Sequence, residues 1–499
     1  MAAANISAMS LRQLFPDSPT APDIRVCDIT THSGRVVSGG LFLACRGYRG
    51  HGLDYLEQAL QHSPAAVVWE PLPGMAAPVI PPDVAQLRVP DLAEQVGAVA
   101  DRFFGSPSQT LQVTGITGTN GKTTTAWLCA EALRVLGHVT GYMGTLGWGT
   151  GTELAPTSLT TPGCIVMHRR LRALRDAGAE CAVLEASSHG LDQGRLDGVA
   201  VRTAAFTNLT HDHLDYHGDF ASYGRAKERL FQFATLESVV INVGDEFGAG
   251  LATRCGRLPR VLRVAMHEAR PNGAVDLRAQ LIEISAAGLR LRLTGDFGEA
   301  ELMSPLWGRF NAENLLVAAG ILVAHGVPLS AAADALSRCA APAGRMQVVR
   351  GAAADPLVVV DFAHTPDGLR QALQAMRDHC SGELSVVFGC GGERDVDKRT
   401  AMGQVAVALA DRVVVTTDNP RSEDPAAIAA MIVADIPAAR NVQIELDRAQ
   451  AIRAAIAAAG ASAAVLVAGK GSETRQYCKD GSRYFSDVDV VQQALGLAA

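Results

Sequence analysis

Residues 111–125 read LQVTGITGTNGKTTT, and their types and spacing suit the binding of a phosphate chain. The apolar run 111–116 predicts a buried strand. The turn Gly118-Thr119-Asn120-Gly121-Lys122-Thr123-Thr124 follows, and then a helical pattern through Trp127, Leu128, Leu133 and Leu136. Strand, glycine-rich turn and helix start together present backbone N–H groups to an anion. Lys122 adds a positive charge for the β- and γ-phosphates, and the Thr123 hydroxyl can ligate Mg2+. Ile116 stands where the longer G-x-x-x-x-G-K-[ST] spacing wants its first glycine, so the motif is the shorter G-x-x-G-K-T. A glycine-rich turn with a surface lysine is the competing reading, and the flanking strand and helix disfavour it.

Further along, Cys181 to Glu185 predicts a short strand ending in an acid, followed at once by Ala186-Ser187-Ser188-His189-Gly190. A carboxylate leaving a strand beside a phosphate loop stands where a Mg2+ ligand belongs. A solvated strand end is the bland alternative. Residues 203–209 predict another strand, running into Thr210-His211-Asp212-His213-Leu214-Asp215-Tyr216-His217-Gly218. Three histidines and two aspartates lie within those few residues, far denser than 13 histidines in 499 residues give by chance. Capping and core hydrogen bonds compete for two or three of them. Lys227 falls in a predicted helix, SYGRAKERLF, with Leu230 and Phe231 on its apolar face; spacing alone makes it a solvated helix residue. Asn311 and Asn314, at i, i+3 spacing before an alanine-rich helix, can cap it or reach a ligand.

From about residue 342 the pattern alternates strand and helix, with strand-like runs at 357–360, 384–388, 412–416 and 463–468. That alternation predicts a mostly parallel sheet with helices on both faces, and ligands gather outside the C-terminal ends of such strands. The loops leaving those ends begin at Asp361, Gly389, Asp418 and Gly469, and should share one rim. Arg394 and Arg421 could each grip a carboxylate bidentately, and Glu473 could hold an ammonium. A lone loop arginine is usually surface charge; two with an acid on one rim describe a pocket for a zwitterion with more than one carboxylate. An ATP site, a Mg2+ site and a separate amino-acid pocket suggest activation of a carboxylate by phosphorylation and attack by an amine.

The elements that must position these groups exceed one core. At 499 residues, about 150 per domain predicts three, bounded here at 1–108, 109–341 and 342–499. The first carries short strands such as 65–69, a Gly/Ser/Thr/His-rich run at 25–52 and a proline-rich loop at 71–82; Gly105-Ser106-Pro107-Ser108 reads as a hinge after it. The net charge of −7 argues against nucleic acid, which needs a basic face. No apolar run approaches the ~20 residues of a membrane span, and residues 1–15 lack the basic start and long apolar centre of a signal peptide. The ten scattered cysteines, with no C-x-x-C, suit a reduced cytoplasm as mostly buried thiols.

In order along the chain, G-T-N-G-K-T-T-T, E-A-S-S-H-G, T-N-L-T-H-D-H-L-D-Y-H-G, F-N-x-x-N, G-R-M and D-F-A-H-T-P-D resemble the Mur ligase family over essentially its whole length. The resemblance implies an N-terminal α/β domain binding a UDP-sugar, a central P-loop ATPase-type α/β domain with a mostly parallel sheet, and a C-terminal Rossmann-like doubly wound domain binding the incoming amino acid. It implies that Gly118 to Thr124 bind ATP phosphates, and that Thr123, Glu185 and His213 surround Mg2+. Asn314, Arg345, Asp361 and His364 match positions that contact ATP, with the nucleotide between the central and C-terminal domains. Lys122, His213 and Lys227 match catalytic positions, and Lys227 matches the lysine the family carries as an N6-carboxylated side chain. As a carbamate it is an anion, welcome beside Mg2+ where an ammonium is not.

By the same resemblance, Ser33, Thr160, Thr161, Ser187, Gln193 and Arg195 bind UDP-N-acetylmuramoyl-L-alanyl-D-glutamate. Asp418-Asn419-Pro420-Arg421, with Arg394, Gly469 and Glu473, implies meso-2,6-diaminopimelate as the incoming amino acid. Two positions depart from the pattern: Leu159 stands where relatives often place an asparagine, and Ser472 replaces the usual histidine. A lysine-adding member needs no second carboxylate grip and so no arginine at 421. A folate-type polyglutamate ligase needs no N-terminal UDP-sugar domain. A nucleotide-dependent regulator would keep Lys122 and Thr123 but has no use for rim arginines. The expectation is a cytoplasmic monomeric ligase of cell-wall precursor synthesis.

Overall fold

A computed structural model describes residues 8–47, 50–151, 153–271, 273–437 and 441–497. The first seven residues of the stretch read for a signal peptide lie outside the described residues, as do Tyr48 and Arg49 of the run 25–52. Two compact units divide the chain: Met1–Arg263 with Pro271–Gly273, and Val264–Arg270 with Ala274–Ala499. Among the described residues no helix is long and apolar enough to cross a membrane.

The first unit holds two parallel arrangements. Ile29–Thr30, Leu41–Ala44, Ala66–Trp69 and Ala85–Arg88 form a four-stranded parallel sheet in sequence order. Leu41–Ala44 and Ala66–Trp69 are buried throughout, and helix Leu92–Phe103 packs its Leu92, Val96, Val99, Ala100 and Phe103 against this core. In the other arrangement, Gln112–Thr117 lies between Cys181–Glu185 and Thr203–Phe206, parallel to both. Thr140–Gly144 extends it beyond Cys181–Glu185 and Ser238–Asn242 beyond Thr203–Phe206, again parallel. Strands buried on both faces have no polar side to show, which is why these read as unbroken apolar runs. The segment read as a hinge is tied down. Pro107 and Ser108 are buried in a 3-10 turn, and Ser108 Oγ accepts a hydrogen bond from Ala200 N at 2.9 Å.

The second unit opens with antiparallel strands Leu277–Ser285, Gly288–Gly295 and Gly298–Ser304, then helices Arg309–Ala324 and Leu329–Ser337. A six-stranded sheet follows in the order Gln347–Val349, Leu357–Asp361, Ala464–Ala468, Leu384–Phe388, Arg412–Val415, Val442–Ile444. Every neighbouring pair is parallel except the first. Side chains alternate between its faces: Val359, Val386, Phe388, Val413 and Leu466 join a core with helices Pro366–His379 and Asp397–Leu409. Val358, Val360, Val387, Val414 and Val465 join one with helices Arg448–Ala458 and Asp487–Ala494. The sheet is thus doubly wound, and the expected α/β class holds. Its parallel strands end on one edge, so the loops after 361, 388, 415 and 468 share a rim.

Candidate active site

The phosphate loop is shaped by its strand neighbours. Register sets Glu185 opposite Ile116 and Phe206 opposite Thr117, so both flanking strands end where the loop begins. Gly118 has φ 149°, and a Cβ there would run into Thr207 Oγ1, so only glycine fits. Thr119 N donates to Asn208 O at 2.8 Å and Asn120 N to Asn208 Oδ1 at 2.9 Å, fastening the loop to the segment after Phe206. Gly121 (φ 83°) then starts helix Lys122–Val135, which includes Thr124. Lys122 Nζ folds back onto the loop, donating to Gly118 O at 2.9 Å and Thr119 O at 2.8 Å.

Glu185 is 1% exposed, and its carboxylate collects donors. Thr123 Oγ1 donates to Oε2 at 2.8 Å, Tyr142 OH to Oε1 at 2.6 Å, and Thr145 N to Oε1 at 2.7 Å. A buried carboxylate so surrounded is held as an acceptor at the mouth of the loop. Among the described residues no three His, Cys, Asp or Glu side chains converge as metal ligands. A hydroxyl and a carboxylate oxygen side by side nevertheless suit Mg2+, which commonly takes one or two protein oxygens and completes its shell with phosphates and water.

Lys227 corrects the expectation drawn from spacing. Helix Phe220–Glu228 turns Tyr223, Gly224, Ala226 and Lys227 inward, and Lys227 is 1% exposed. Its Nζ donates to Gly118 O at 2.7 Å and lies 4.2 Å from the Tyr223 ring centroid. Burial holds the amine well below its ordinary value, and the Lys122 charge pushes the same way, against Asp212. The histidine-rich segment crosses nearby. His213, in a left-handed turn (φ 53°), sets its ring 4.8 Å from that of His189, which also lies 4.1 Å from Tyr216. Desolvation lowers the His213 imidazole below its usual range, opposed by Asp212 and reinforced by His189, Lys122 and Lys227. Among the described residues no hydrogen bond joins His213 to Thr123 or Glu185.

The residues matched to the UDP-dipeptide split in two. Thr160 Oγ1 lies 3.0 Å from Thr145 Oγ1. Thr161 Oγ1 donates to Glu185 O at 2.7 Å and lies 3.0 Å from Ser187 Oγ. Ser187 caps helix Ser188–Asp192 through Gly190 N. Arg195 donates to Thr161 O at 2.8 Å and to Gln193 Oε1. Five of the six therefore gather around the carboxylate end of the phosphate loop. Ser33 stands apart, buried beside the four-stranded sheet with its Oγ donating to Gln58 Oε1 at 2.7 Å.

In the second unit, Arg345, Asp361 and His364 come together at the end of strand Leu357–Asp361. Asp361 accepts from Met346 N at 2.7 Å and Ala363 N at 2.8 Å, and the Arg345 guanidinium lies 4.4 Å from the centroid of Phe362. His364 Nδ1 meets Phe362 O at 2.9 Å. Asn311 and Asn314 are buried in the first turns of helix Arg309–Ala324, with Asn311 Nδ2 donating to Trp307 O and Asn314 Nδ2 to Asn311 Oδ1.

The rim loops meet as expected. Gly392 N donates to Asn419 O at 2.9 Å, Gly469 N to Asp361 O at 3.1 Å, and Asn419 Nδ2 to Glu473 Oε2 at 2.8 Å. Arg421, with φ 53°, turns its guanidinium onto Gly392 O at 2.6 Å, and Arg394 is exposed in the adjoining loop. Burial raises the Asp418 carboxyl above its ordinary range, offset by Arg448 and Lys470. Pro420, between Asn419 and Arg421 in the chain, is buried.

Sequence reasoning missed Tyr142 and Thr145, which grip Glu185, and Tyr223, whose OH donates to Thr119 Oγ1 at 3.1 Å. Thr145 had a usable signal: it leaves strand Thr140–Gly144, the parallel neighbour of Cys181–Glu185, at the same sheet edge.

Comparison with known proteins agrees with the geometry. Residues 116–322 match the Mur ligase middle domain, and residues 344–471 match the Mur ligase glutamate ligase domain. The chain is similar to the UDP-N-acetylmuramoyl-L-alanyl-D-glutamate–2,6-diaminopimelate ligase of Xanthomonas campestris pv. campestris (strain 8004), 44% identical over 490 residues covering 98% of this chain and 97% of that one. The ligase of the same name from Xylella fastidiosa (strain 9a5c) is 43% identical over 488 residues, covering 98% and 97%. A solved structure of a protein with that name matches at TM-score 0.72 and 34% identity, over 98% of this chain and 99% of the other. The chain belongs to the Mur ligase family.

Proposed function

We propose that the protein is an ATP-dependent ligase that joins meso-2,6-diaminopimelate to UDP-N-acetylmuramoyl-L-alanyl-D-glutamate by an amide bond, in cytoplasmic peptidoglycan precursor synthesis. Relatives of that name match 98% of the chain at 43% and 44% identity. The observation that carries the reading is the pairing of two sites on one chain: a phosphate loop with Thr123 against Glu185, and a rim where Asn419, Arg421 and Glu473 converge. A lysine-adding enzyme has no use for Arg421 on that rim.

The division of labour follows the three regions: 1–108 for the UDP-sugar, with Ser33 among its contacts, 109–341 for ATP and the dipeptide end, and 342–499 for the amino acid. The acceptor carboxylate takes the γ-phosphoryl group of ATP, releasing ADP. The amine then attacks the acyl carbon, phosphate leaves and the amine gives up a proton. Such chemistry needs alignment and charge neutralisation more than covalent help. The loop amides from Gly118 to Thr124 and the Lys122 ammonium serve the phosphates, and Asn314, Arg345, Asp361 and His364 are further nucleotide contacts. Thr123 and Glu185, with His213, would hold Mg2+, which would supply neutralisation of charge on the phosphoryl oxygens. Thr160, Thr161, Ser187, Gln193 and Arg195 orient the dipeptide. Lys227, whose burial favours loss of its proton, would as a free amine bond to the carbon of CO2 and lose a proton. The resulting carbamate would be the anion that this lysine contributes beside the metal.

Phosphate release from ATP with the UDP-dipeptide and each candidate amino acid tests the specificity. Release with meso-diaminopimelate well above that with lysine is the expected outcome; equal release with both removes the assignment.

A further inference from the structure

Lys470 is fully buried in the loop leaving strand Ala464–Ala468, and nothing in the sequence singles it out. Its Nζ has three acceptors: Asn419 Oδ1 at 3.1 Å, Glu473 Oε2 at 2.9 Å and Arg475 O at 2.7 Å. All three N–H groups of the ammonium are thereby used, which is what allows a cation to sit in such a place. Tyr477 N donates to the same Asn419 Oδ1 at 3.1 Å. With two donors on that oxygen the Asn419 amide cannot turn over, and its Nδ2 is committed to Glu473 Oε2 at 2.8 Å. Both bonds to Glu473 therefore fall on one oxygen of its carboxylate. The side chain remains 37% exposed, with Oε1 left to meet a cation.

The backbone around this corner is held as firmly. Gln476, fully buried, donates its Nε2 to Asp418 O at 2.8 Å, and Arg421 N donates to Tyr477 O at 3.0 Å. The short antiparallel pair Arg475–Cys478 and Gly481–Tyr484 thus straps the segment that carries Asn419 and Arg421.

We propose that Lys470 is a positioning residue for the incoming amino acid: its buried ammonium fixes Asn419 and Glu473 so that one oxygen of Glu473 faces a substrate ammonium. The proposal rests on the reading that this rim takes the amino acid. Lys470 acts there on affinity for an α-amino-acid zwitterion, not on the nucleotide. It also leaves the choice between diaminopimelate and lysine alone, because those two differ by a carboxylate rather than an ammonium.

The test uses the full-length chain with Lys470→Met, Glu473→Gln and the double variant, measuring KM for each of the three substrates. Lys470→Met is expected to raise KM for meso-diaminopimelate by about 10- to 100-fold, the range for hydrogen bonds to charged groups. KM for ATP and the UDP-dipeptide should stay at the wild-type value, as should the preference for diaminopimelate over lysine. The double variant should be no worse than the worse single one, since Lys470 works through Glu473. An unchanged KM for the amino acid, a parallel rise for all three substrates, or additive losses would overturn the proposal. Should Lys470→Met melt early, Lys470→Gln, which keeps donors, is measured in its place. Failure of both to fold would make Lys470 a folding residue and also overturn it. Wild-type protein is the control that separates the two ideas: if it does not join diaminopimelate to the UDP-dipeptide, the functional reading fails first, whereas if it does and the variants match it, only the role of Lys470 fails.

Discussion

Lys122 and Lys227 aim at the same atom: Gly118 O accepts from Lys122 Nζ at 2.9 Å and from Lys227 Nζ at 2.7 Å. Two ammonium groups that close repel each other, and the buried one loses its proton more easily. Under the proposed function Lys122 would be the cation for the phosphates and Lys227 the amine that takes up CO2.

Lys227→Ala is therefore expected to cut turnover by about 100-fold or more, the scale of a lost preorganised charge contact. Formate or acetate, each supplying a small carboxylate, should restore part of it, as read in a steady-state assay with and without the added anion. Unchanged turnover would return Lys227 to a structural role.

Glu185→Gln tests the other side of the loop. An amide keeps one acceptor oxygen and sets its NH2 either against Thr123 Oγ1 or against Tyr142 OH and Thr145 N. A loss of about 1–3 kcal/mol in stability is expected from the mismatched buried donors, together with a higher Mg2+ requirement. Urea denaturation and a Mg2+ titration of activity measure the two; a variant with wild-type values in both would remove Glu185 from the metal site.

Arg421→Ala should weaken use of diaminopimelate by about 2–5 kcal/mol in kcat/KM, as for a lost charge-assisted pair, with little change in ATP binding. Unlike Lys470→Met, it should also narrow the preference over lysine. Equal losses for ATP and amino acid would contradict the pocket assignment.

His379 gives a pH-dependent test within the second unit. Its Nε2 accepts from Gly308 N at 3.0 Å, its Nδ1 meets Ser285 O at 2.6 Å, and its ring stacks on Trp307 with centroids 4.3 Å apart. Burial lowers its pKa, so the folded state keeps it neutral, and protonation would cost the bond from Gly308 N. In the unfolded chain it titrates near its ordinary value of about 6.5. Between that value and the lower folded one the unfolded state binds the extra proton, so stability falls as pH drops through the window. Urea midpoints from neutral to mildly acidic pH should fall more steeply for wild type than for His379→Gln; parallel curves would contradict the assignment.

Much of the fold was legible because its strands are buried on both faces. Residues 384–388 predict a strand, and Leu384–Phe388 is one; its neighbours were placed to within a residue or so at each end. The phosphate loop was legible because glycine at φ 149° and φ 83° leaves a mark in composition that side-chain packing does not. Lys227 and Lys470 were illegible for one reason. Each is a lysine whose burial depends on acceptors supplied from elsewhere: the distant Gly118 O for Lys227, and Asn419 Oδ1 together with the Arg475 carbonyl for Lys470. Local periodicity carries no trace of such partners. The motif order could point to Lys227 only through family resemblance, and it left Lys470 unremarked.

The most direct measurement is a mass-spectrometric time course of the purified chain with ATP, Mg2+, UDP-N-acetylmuramoyl-L-alanyl-D-glutamate and meso-diaminopimelate. The expected result is one ADP and one phosphate formed for each UDP-tripeptide, with ATP left intact when the UDP-dipeptide is withheld. Steady ATP consumption with no joined product would contradict the central claim that the phosphate loop spends ATP to make an acid electrophilic for an amine.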